Sequence, residues 1–403
     1  MATQEQEPHY RELRLFLEEI CCNIARFHHA ETDGARPQDV RVTQEASLGN
    51  ADEFADIKVE APGRPPYFME VKFGYPPERV YASVMRKYGL NAPPLPTGVK
   101  VVLVVDAHRH ADWPMWEQRL RAGTQPGVVL EIWDEPQLIQ QVRDRFRVNL
   151  DSFDERDILR VRVALDQAKG RLAFGDEWRG DELQTELLWH FGFWRLKELR
   201  EKHGLRARTI LPPGVYRGVV VLLCDICSFS SFVRDTRDAE VVRYCLGSFY
   251  SKARYEILNT GGMMYQFVGD EVIGLYGLPD NPAGSLADAM KCARTLVSIG
   301  DSISRKWQGF IDRVQPSKGV HIGMTVGDIQ VVSLRPFGRA HFGAVSDAVN
   351  MAARLLGHAG SGEIVVSNGL HQGMNEVSQR EFKELDPVDA RNLGTIKAWK
   401  LKL

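Results

Sequence analysis

Apolar residues recur at regular spacings in separate stretches of the first 150 residues. Over Tyr10–Phe27 they recur every three or four residues, which predicts an amphipathic helix, and Glu135–Phe146 predicts a second. Shorter apolar runs predict strands at Phe54–Glu60, Tyr67–Phe73, Val99–Asp106 and Val128–Trp133. Residues 1–150 are therefore expected to form a mixed α/β domain.

The pattern changes twice in the rest of the chain. Residues 151–214 interleave acidic and basic residues with Leu and Trp, which predicts a helical connector with solvated faces. It ends at Leu211-Pro-Pro-Gly214, a sequence that stops a helix. Residues 215–403 begin with the apolar run Val219–Cys224, and strand and helix patterns then alternate. They predict a second α/β domain.

Composition excludes several classes of protein. The 403 residues carry a net charge of −2, which argues against a nucleic-acid coat or a polybasic membrane anchor. No apolar run reaches the roughly 18 residues of a membrane span. The first residues are polar and acidic, unlike a signal peptide, and six cysteines are too few for a disulfide framework. These features predict a cytoplasmic protein with no membrane or nucleic-acid partner.

Two acidic residues stand at the ends of predicted strands. Asp225 directly follows Val219–Cys224, and Asp270 lies at the tip of a hairpin predicted from the runs 262–267 and 271–276. Carboxylates at strand ends suit hard divalent cations. Two such acids on neighbouring strands could hold a pair of metals that clamps the oxygens of a phosphoryl transfer. The simpler alternative for Asp225 is a helix N-cap.

A third segment, residues 346–356, predicts a short helix. Ser346 is a suitable N-cap, and Asn350 and Arg354 are four residues apart, so both project from one face. An arginine there could stabilise the charge of a phosphoryl transition state. The alternative is a surface arginine beside an apolar stripe.

The order of these motifs resembles the class III nucleotide cyclase domain. The sequences DICSFS, GG-x-x-x-Q-x-VGDE and VSDAVNMAARL follow one another within residues 215–403, nearly half of the chain. The resemblance implies an α/β (α+β) fold of ferredoxin-like type, with helices packed on a mostly antiparallel sheet. It also implies domains that dimerise head to tail.

The resemblance further implies roles for individual residues. Asp225, the Ile226 carbonyl and Asp270 would hold two Mn²⁺ or Mg²⁺ ions. Asn350 would orient the ribose and Arg354 would stabilise the pentacovalent phosphorus, both reaching in from the partner subunit of a homodimer. The substrate would be a nucleoside triphosphate, and the products would be a 3′,5′-cyclic nucleotide and pyrophosphate.

The positions that would contact the nucleotide differ from the usual family pattern. Phe229, in DICSFS, is a candidate nucleotide contact. Adenylate cyclases usually have Lys where Gln266 stands and Asp or Thr where Gly343 stands, and guanylate cyclases commonly have Glu and a small residue. A neutral glutamine beside a glycine fits neither purine well.

The phosphate side also departs from the family. Many members have a Leu-Lys-Gly run near the C-terminus, where this chain has Asn392-Leu-Gly394. Lys397 is the nearest cation and a candidate catalytic substitute. His321 stands where a basic residue is frequent, with filling of the strand as the alternative.

The altered base positions resemble the pyrimidine cyclases of the bacterial Pycsar antiphage system. Those enzymes make cyclic UMP or cyclic CMP as a signal for a separate effector protein. Gln266 can both donate and accept hydrogen bonds, so it could face uracil or cytosine. The resemblance favours UTP over CTP, and an adenylate or guanylate cyclase with an altered pocket is the alternative.

The first domain carries a weaker motif. Asp56, followed by Glu70-Val-Lys72 in the next strand run, resembles the D…E-x-K core of restriction-endonuclease-like folds, and Glu18 or Glu19 on the preceding helix fits the same architecture. In such a site the acids bind a metal and the lysine orients the attacking water. We expect a sensor or scaffold derived from that fold. The alternative is a metal-dependent nuclease whose cyclase-like domain is a regulatory nucleotide-binding module.

Overall fold

The computed structural model describes residues 6–49, 53–175, 182–204, 207–236, 238–311, 317–334, 341–390 and 394–403. These residues fall into two compact units, one within residues 1–178 and the other within residues 179–403. Both units mix helices and strands, as the sequence predicts.

The first unit contains one sheet and helices on both of its faces. Its elements in chain order are α1 (Gln6–Thr32), β1 (Arg41–Ser47), β2 (Phe54–Glu60), β3 (Tyr67–Val71), α2 (Pro77–Tyr88), β4 (Lys100–Val104), α3 (Trp113–Gly123), β5 (Val129–Trp133), α4 (Glu135–Phe146) and α5 (Glu155–Phe174). The strand order is β1-β2-β3-β4-β5. The pairs β1–β2 and β2–β3 are antiparallel, whereas β3–β4 and β4–β5 are parallel.

Apolar side chains of alternate residues explain the layers of this unit. Val101 and Leu103 of β4 pack against α2 and α3 in one hydrophobic core. Helix α1 packs on the sheet, and α5 packs on α1, where the Arg162 guanidinium lies 5.3 Å from the centre of the Phe16 ring. Part of the predicted connector therefore belongs to the first unit.

The second unit is built around a larger sheet. Its elements are α6 (Glu182–His203), α7 (Ala207–Ile210), β6 (Gly214–Ile226), α8 (Phe229–Asp235), α9 (Ala239–Asn259), β7 (Met263–Val268), β8 (Glu271–Tyr276), α10 (Ser285–Ile311), β9 (Val320–Leu334), β10 (His341–Val345), α11 (Asp347–Leu356), β11 (Glu363–Ser367), α12 (Asn368–Gln372), α13 (Glu376–Arg380), β12 (Lys383–Glu384), β13 (Val388–Ala390), β14 (Gly394–Ile396) and β15 (Ala398–Lys402). The strand order is β12-β15-β11-β9-β6-β8-β7, and β10 pairs with β9.

The sheet of the second unit is mostly antiparallel, and its main hydrophobic core lies against α9 and α10. Strand β6 pairs antiparallel with β8 and β9, and β9 pairs parallel with β11. Alternate residues of β6, including Leu222 and Cys224, enter a core with α9 and α10. These strands and helices confirm the predicted fold class.

Helix α11 covers the other face of the sheet at very short range. A Cβ atom on Gly323 of β9 would lie 2.3 Å from the Ala352 carbonyl oxygen, and one on Gly327 would lie 2.8 Å from the Ala348 Cβ. Glycine at these positions of β9 therefore lets the helix backbone rest directly on the strand.

Helix α6 belongs to the second unit, although the sequence places it in the predicted connector. Its chain turns sharply at Gly192 (φ 69°, ψ 174°). The buried His190 Nδ1–H donates to the Met264 carbonyl oxygen of β7 at 2.6 Å. The Arg254 guanidinium of α9 donates to the carbonyl oxygen of Trp189 at 2.9 Å. These contacts fasten α6 to the edge of the sheet.

Candidate active site

Strand β6 places Asp225 beside His321 of β9. Because side chains alternate along a strand, Asp225 lies on the face opposite the Cys224 side chain, which is in the core. Its carboxylate Oδ2 is 3.3 Å from His321 Nε2, and its side chain is 27% exposed. His321 Nδ1 is 3.3 Å from the Cys227 sulfur. Burial lowers the pKa of His321, but Asp225 and Cys227 outweigh that effect and raise it to about 10.

A tight hairpin brings Asp270 to the same place. Strands β7 and β8 are joined by Gly269 and Asp270, and the positive φ of Gly269 (62°) suits a two-residue turn. Partial burial and the neighbouring Asp225 carboxyl raise the pKa of Asp270 to about 7. The same two causes raise the pKa of Glu271. The structure therefore brings together the two acids that the sequence singled out.

The chemistry of these donors fits a hard divalent cation. Asp225 and Asp270 offer carboxylate oxygens, and a bound cation would offset the burial and the mutual repulsion that raise the pKa of Asp270. Within the part of the chain that the structure describes, no group of three or more His, Cys, Asp or Glu side chains could hold a metal. Ile226, whose backbone carbonyl is the predicted third donor, directly follows Asp225 at the end of β6.

Helix α11 presents Asn350 and Arg354. Ser346 caps the helix, with its side chain accepting a hydrogen bond from the Ala348 N–H at 2.9 Å, which agrees with the predicted N-cap. Asn350 is exposed. The Arg354 Nε is buried and has no hydrogen-bond partner among the described residues. A buried donor of this kind is costly unless a ligand or partner satisfies it.

The candidate residues of one chain fall into two groups. Asp225 and Asp270 interact with each other, but no hydrogen bond or ion pair joins either of them to Asn350 or Arg354 within the described ranges. Both groups lie on the sheet face that α11 covers. Asp225 pairs with His321 of β9, and His321 is on the same face as Gly323, over which α11 lies.

The two predicted base-reading positions lie on strands that are joined by a hydrogen bond. Gln266 is exposed on β7, and Gly343 is buried on β10. Between them, the Ala344 N–H donates to the Tyr265 hydroxyl at 3.0 Å. The ring of Phe342 lies 6.0 Å from the buried His190 ring of α6. Sequence reasoning missed Tyr265 and His190, and neither has a motif that marks it.

Strand β7 contains an irregularity that changes the predicted side-chain directions. Simple alternation predicts Met264, Gln266 and Val268 on one face. The register shifts between Met264 and Gln266, so that Met264 pairs with Gly274 and Gln266 with Ile273. Because Gly274 and Ile273 point to opposite faces, Met264 is buried while Gln266 and Val268 share the face of Asp225.

The remaining candidates of this unit have structural partners. The Phe229 ring, at the start of α8, lies 6.0 Å from the Phe232 ring and 6.3 Å from the Trp307 ring. The Lys397 ammonium, just before β15, is 2.9 Å from the carboxylate of Glu384 on the edge strand β12. Asn392 and Leu393 of the predicted phosphate-side run lie outside the described residues.

The first unit assembles the candidate residues of its own motif. The Lys72 ammonium is 2.6 Å from Asp56 Oδ2 and 2.7 Å from Glu70 Oε2. A second lysine, Lys87 of α2, joins this group, and nothing in the motif signals it. Glu18 is buried on α1, whereas its neighbour Glu19 is 3.8 Å from Arg162.

Comparisons with known proteins agree with the fold of the second unit. Residues 212–402 match the family model of the adenylate and guanylate cyclase catalytic domain. No curated protein matches the chain. Within the described residues, no helix has the length and apolar character to cross a membrane.

Solved structures similar to the chain include two guanylate cyclases and one adenylate cyclase. The guanylyl cyclase Cya2 is 20% identical, covers 47% of this chain and 92% of its own, and has a TM-score of 0.41. The guanylate cyclase domain of RhGC from Catenaria anguillulae, solved with GTP, is 19% identical. The match covers 47% of this chain and 98% of that domain, with a TM-score of 0.38. The adenylyl cyclase CyaB from P. aeruginosa is 19% identical. The match covers 46% of this chain and 95% of the CyaB chain, with a TM-score of 0.37.

The family match covers the strands and helices that hold all the candidate residues of the second unit. Residues 212–402 are the catalytic domain of a class III nucleotide cyclase.

Proposed function

We propose that the chain converts a pyrimidine nucleoside triphosphate, UTP in preference to CTP, to its 3′,5′-cyclic nucleotide and pyrophosphate. The observation that carries the cyclase reaction is the pair of interacting carboxylates, Asp225 and Asp270, at one end of β6 and β8. They lie within the matched catalytic domain. An adenylate or guanylate cyclase with an altered pocket is the alternative.

The roles of the residues follow from their chemistry. Asp225, Asp270 and the Ile226 carbonyl would hold two Mn²⁺ or Mg²⁺ ions. When bound, such ions lower the pKa of a coordinated oxygen and neutralise phosphate charge. Asn350 would fix the ribose by hydrogen bonds. Arg354 would stabilise the charge on the phosphorus centre, and its buried, unpartnered Nε supports a role in binding an anion.

A head-to-tail homodimer would complete each site. One chain carries both groups of residues, and no described contact joins them within the chain. Two copies would form two equivalent sites, each with Asp225 and Asp270 from one subunit and Asn350 and Arg354 from the other.

Mixing two inactive variants tests this arrangement. Asp225→Ala and Arg354→Ala should each be inactive alone. After exchange of subunits, half of the dimers would be mixed and each would keep one intact site, so about a quarter of wild-type activity should return. If subunit exchange is demonstrated and the mixture is still inactive, the proposal that each site is shared between two subunits is refuted.

The preference for a pyrimidine rests on Gln266 and Gly343. Both are uncharged, and the hydrogen bond between Tyr265 and the Ala344 N–H supports their use in one pocket. A glutamine amide can donate to a uracil carbonyl or accept from the cytosine amino group. The choice of UTP follows from the resemblance to Pycsar cyclases.

Product identification tests the reaction and the base together. The purified full chain would receive Mn²⁺ and ATP, GTP, CTP or UTP separately, and the products would be identified by mass spectrometry. Cyclic UMP supports the proposal in full, and cyclic CMP supports a pyrimidine cyclase with the other base. Cyclic AMP or cyclic GMP as the main product would refute the pyrimidine assignment but not the cyclase.

A substitution of Gln266 shows whether its side chain contacts the base or only faces solvent. Gln266→Lys should change the ratio of kcat/KM values among the four triphosphates. Gln372→Lys, an exposed glutamine on α12, adds the same charge elsewhere and should leave the ratio unchanged. An unchanged ratio in both variants would show that Gln266 does not contact the base.

The cyclic nucleotide would act as a second messenger in antiphage defence, read by a separate effector. This role rests on the resemblance to the Pycsar enzymes. Cells carrying the wild-type gene and its genomic neighbours should survive phage challenge better than cells with Asp225→Ala. Equal survival, with cyclic nucleotide present only in the wild type, would refute the defence role and leave the enzyme assignment intact.

A further inference from the structure

The D…E-x-K motif of the first unit forms a buried cluster of four charged residues. Asp56, Glu70, Lys72 and Lys87 are all at most 9% exposed. The Val71 N–H donates to Asp56 Oδ2 at 2.8 Å, and the Tyr88 hydroxyl donates to Glu70 Oε1 at 2.7 Å. The cluster holds two carboxylates and two ammonium groups, so its formal charge is zero.

Lys87 is the member that the motif does not contain. It comes from the last turn of α2, where a positive charge is favoured by the helix dipole. Its ammonium is 2.7 and 3.0 Å from the two oxygens of Glu70 and 3.9 Å from Asp56 Oδ1. The positive charge of Lys87 therefore contacts Glu70 directly and also faces Asp56.

That position is the one a metal would need. A divalent cation bound by Asp56 and Glu70 requires their oxygens at about 2.0–2.6 Å from one point between them. The Lys87 ammonium already contacts both oxygens of Glu70, and Lys72 contacts both acids. Burial opposes the charge on Lys72, but Asp56 and Glu70 raise its pKa strongly, so it stays protonated. These residues do not fit a divalent cation.

We propose that the Lys87 ammonium takes the place of a divalent cation in this cluster, which makes the first unit a metal-independent scaffold rather than a metal-dependent nuclease. The two lysines and two carboxylates fasten the end of α2 to β2 and β3. A single substitution at Lys87 should therefore uncover a cation site that the natural chain does not use.

The test measures Mn²⁺ binding by the full chain. Asp225→Asn and Asp270→Asn would first remove the acids of the other unit. In that background Lys87→Met should raise the association constant for Mn²⁺ by at least about tenfold, because it removes a positive charge next to Glu70. Electron paramagnetic resonance would count bound Mn²⁺, and adding Asp56→Asn should abolish the gain.

Lys58→Met is the matched control. Lys58 lies on the same strand as Asp56, but its ammonium pairs with Glu60 at 2.9 Å, so its loss should add no Mn²⁺ site. A folded Lys87→Met variant with no gain would refute the proposal.

If Lys87→Met does not fold, a second test uses the chain that keeps Lys87 and substitutes Asp56 instead. Asp56→Asn should leave its Mn²⁺ stoichiometry unchanged, and Mn²⁺ should support no DNA cleavage that depends on Asp56. Loss of one bound Mn²⁺, or of a cleavage activity, on Asp56→Asn would overturn the proposal.

Discussion

The close contact between α11 and β9 makes the cyclase site sensitive to one added methyl group. In Gly323→Ala the new Cβ would lie 2.3 Å from the Ala352 carbonyl oxygen and 2.4 Å from the Leu356 nitrogen. Both are backbone atoms, so no side chain can rotate out of the way. Ordinary contact begins at 3.4 Å, so the helix would have to retreat by about 1 Å.

The retreat should reduce activity more than stability. A displacement of about 1 Å can lower a catalytic rate roughly 100-fold, and the retreat would displace Asn350 and Arg354, which we propose contact the substrate. Overpacking costs about 1–3 kcal/mol of unfolding free energy, which a domain of this size can tolerate. We therefore expect a folded protein with kcat lowered about 100-fold and a reduced Tm.

Two other glycines provide a graded control. Gly327→Ala would bring its Cβ to 2.8 Å from the Ala348 side chain and should have a smaller effect. Gly247 lies in α9 with nothing within 4 Å, so Gly247→Ala should keep full activity and add up to about 1 kcal/mol of stability. Circular dichroism melts and steady-state rates would rank the three variants. A Gly323→Ala variant with normal kcat and Tm would refute the reasoning.

Three further predictions concern the charges of the site. Burial and Asp225 raise the pKa of Asp270 to about 7, from an unfolded value near 4. Ionising Asp270 in the folded, metal-free protein therefore costs stability as the pH rises towards 7. Asp270→Asn should raise Tm in EDTA at pH 8 but not at pH 4, and an equal shift at both pH values would contradict this. Arg354→Lys keeps the charge but loses the planar donors, so kcat should fall about 10-fold or more with KM little changed; a rise in KM alone would place Arg354 in ground-state binding. Lys397→Ala should change kcat less than twofold, about the effect of losing an exposed ion pair with Glu384, and a large loss would assign Lys397 to the phosphate side.

The acidic pair of the first unit and that of the second unit differ in how far positive charges match them, and this difference indicates different roles. In the second unit, burial and the neighbouring Asp225 carboxyl raise the pKa of Asp270. In the first unit Asp56 and Glu70 are matched by two ammonium groups. A pair of carboxylates kept close at a cost in stability is typical of a functional site, whereas a fully matched pair is typical of structural fixing.

Local sequence determined much of this fold. The predicted strand Phe54–Glu60 and helix Glu135–Phe146 have the observed bounds, and the hairpin with Asp270 at its tip was predicted within one residue. The motif order also indicated the cyclase domain. These features are local because strand alternation, helix caps and tight turns depend on residues a few positions apart.

Other features required contacts between distant residues. Strand β1 (Arg41–Ser47) has no apolar alternation, and its polar side chains Gln44 and Glu45 are nevertheless buried. The bulge in β7 reverses the predicted direction of Met264 relative to Gln266. A sequence pattern does not reveal such features, because burial and register are set by the strands and helices packed alongside.

The charged groups show the same division between sequence and structure. Local sequence places Asp56, Glu70 and Lys72 on adjacent strands, but Lys87 comes from the far end of α2. Likewise, only the pairing of β6 with β9 puts His321 against Asp225. Sequence therefore determined which chemical groups the protein has, and tertiary structure decided which charges meet, because electrostatic interactions depend on distance in space and on burial.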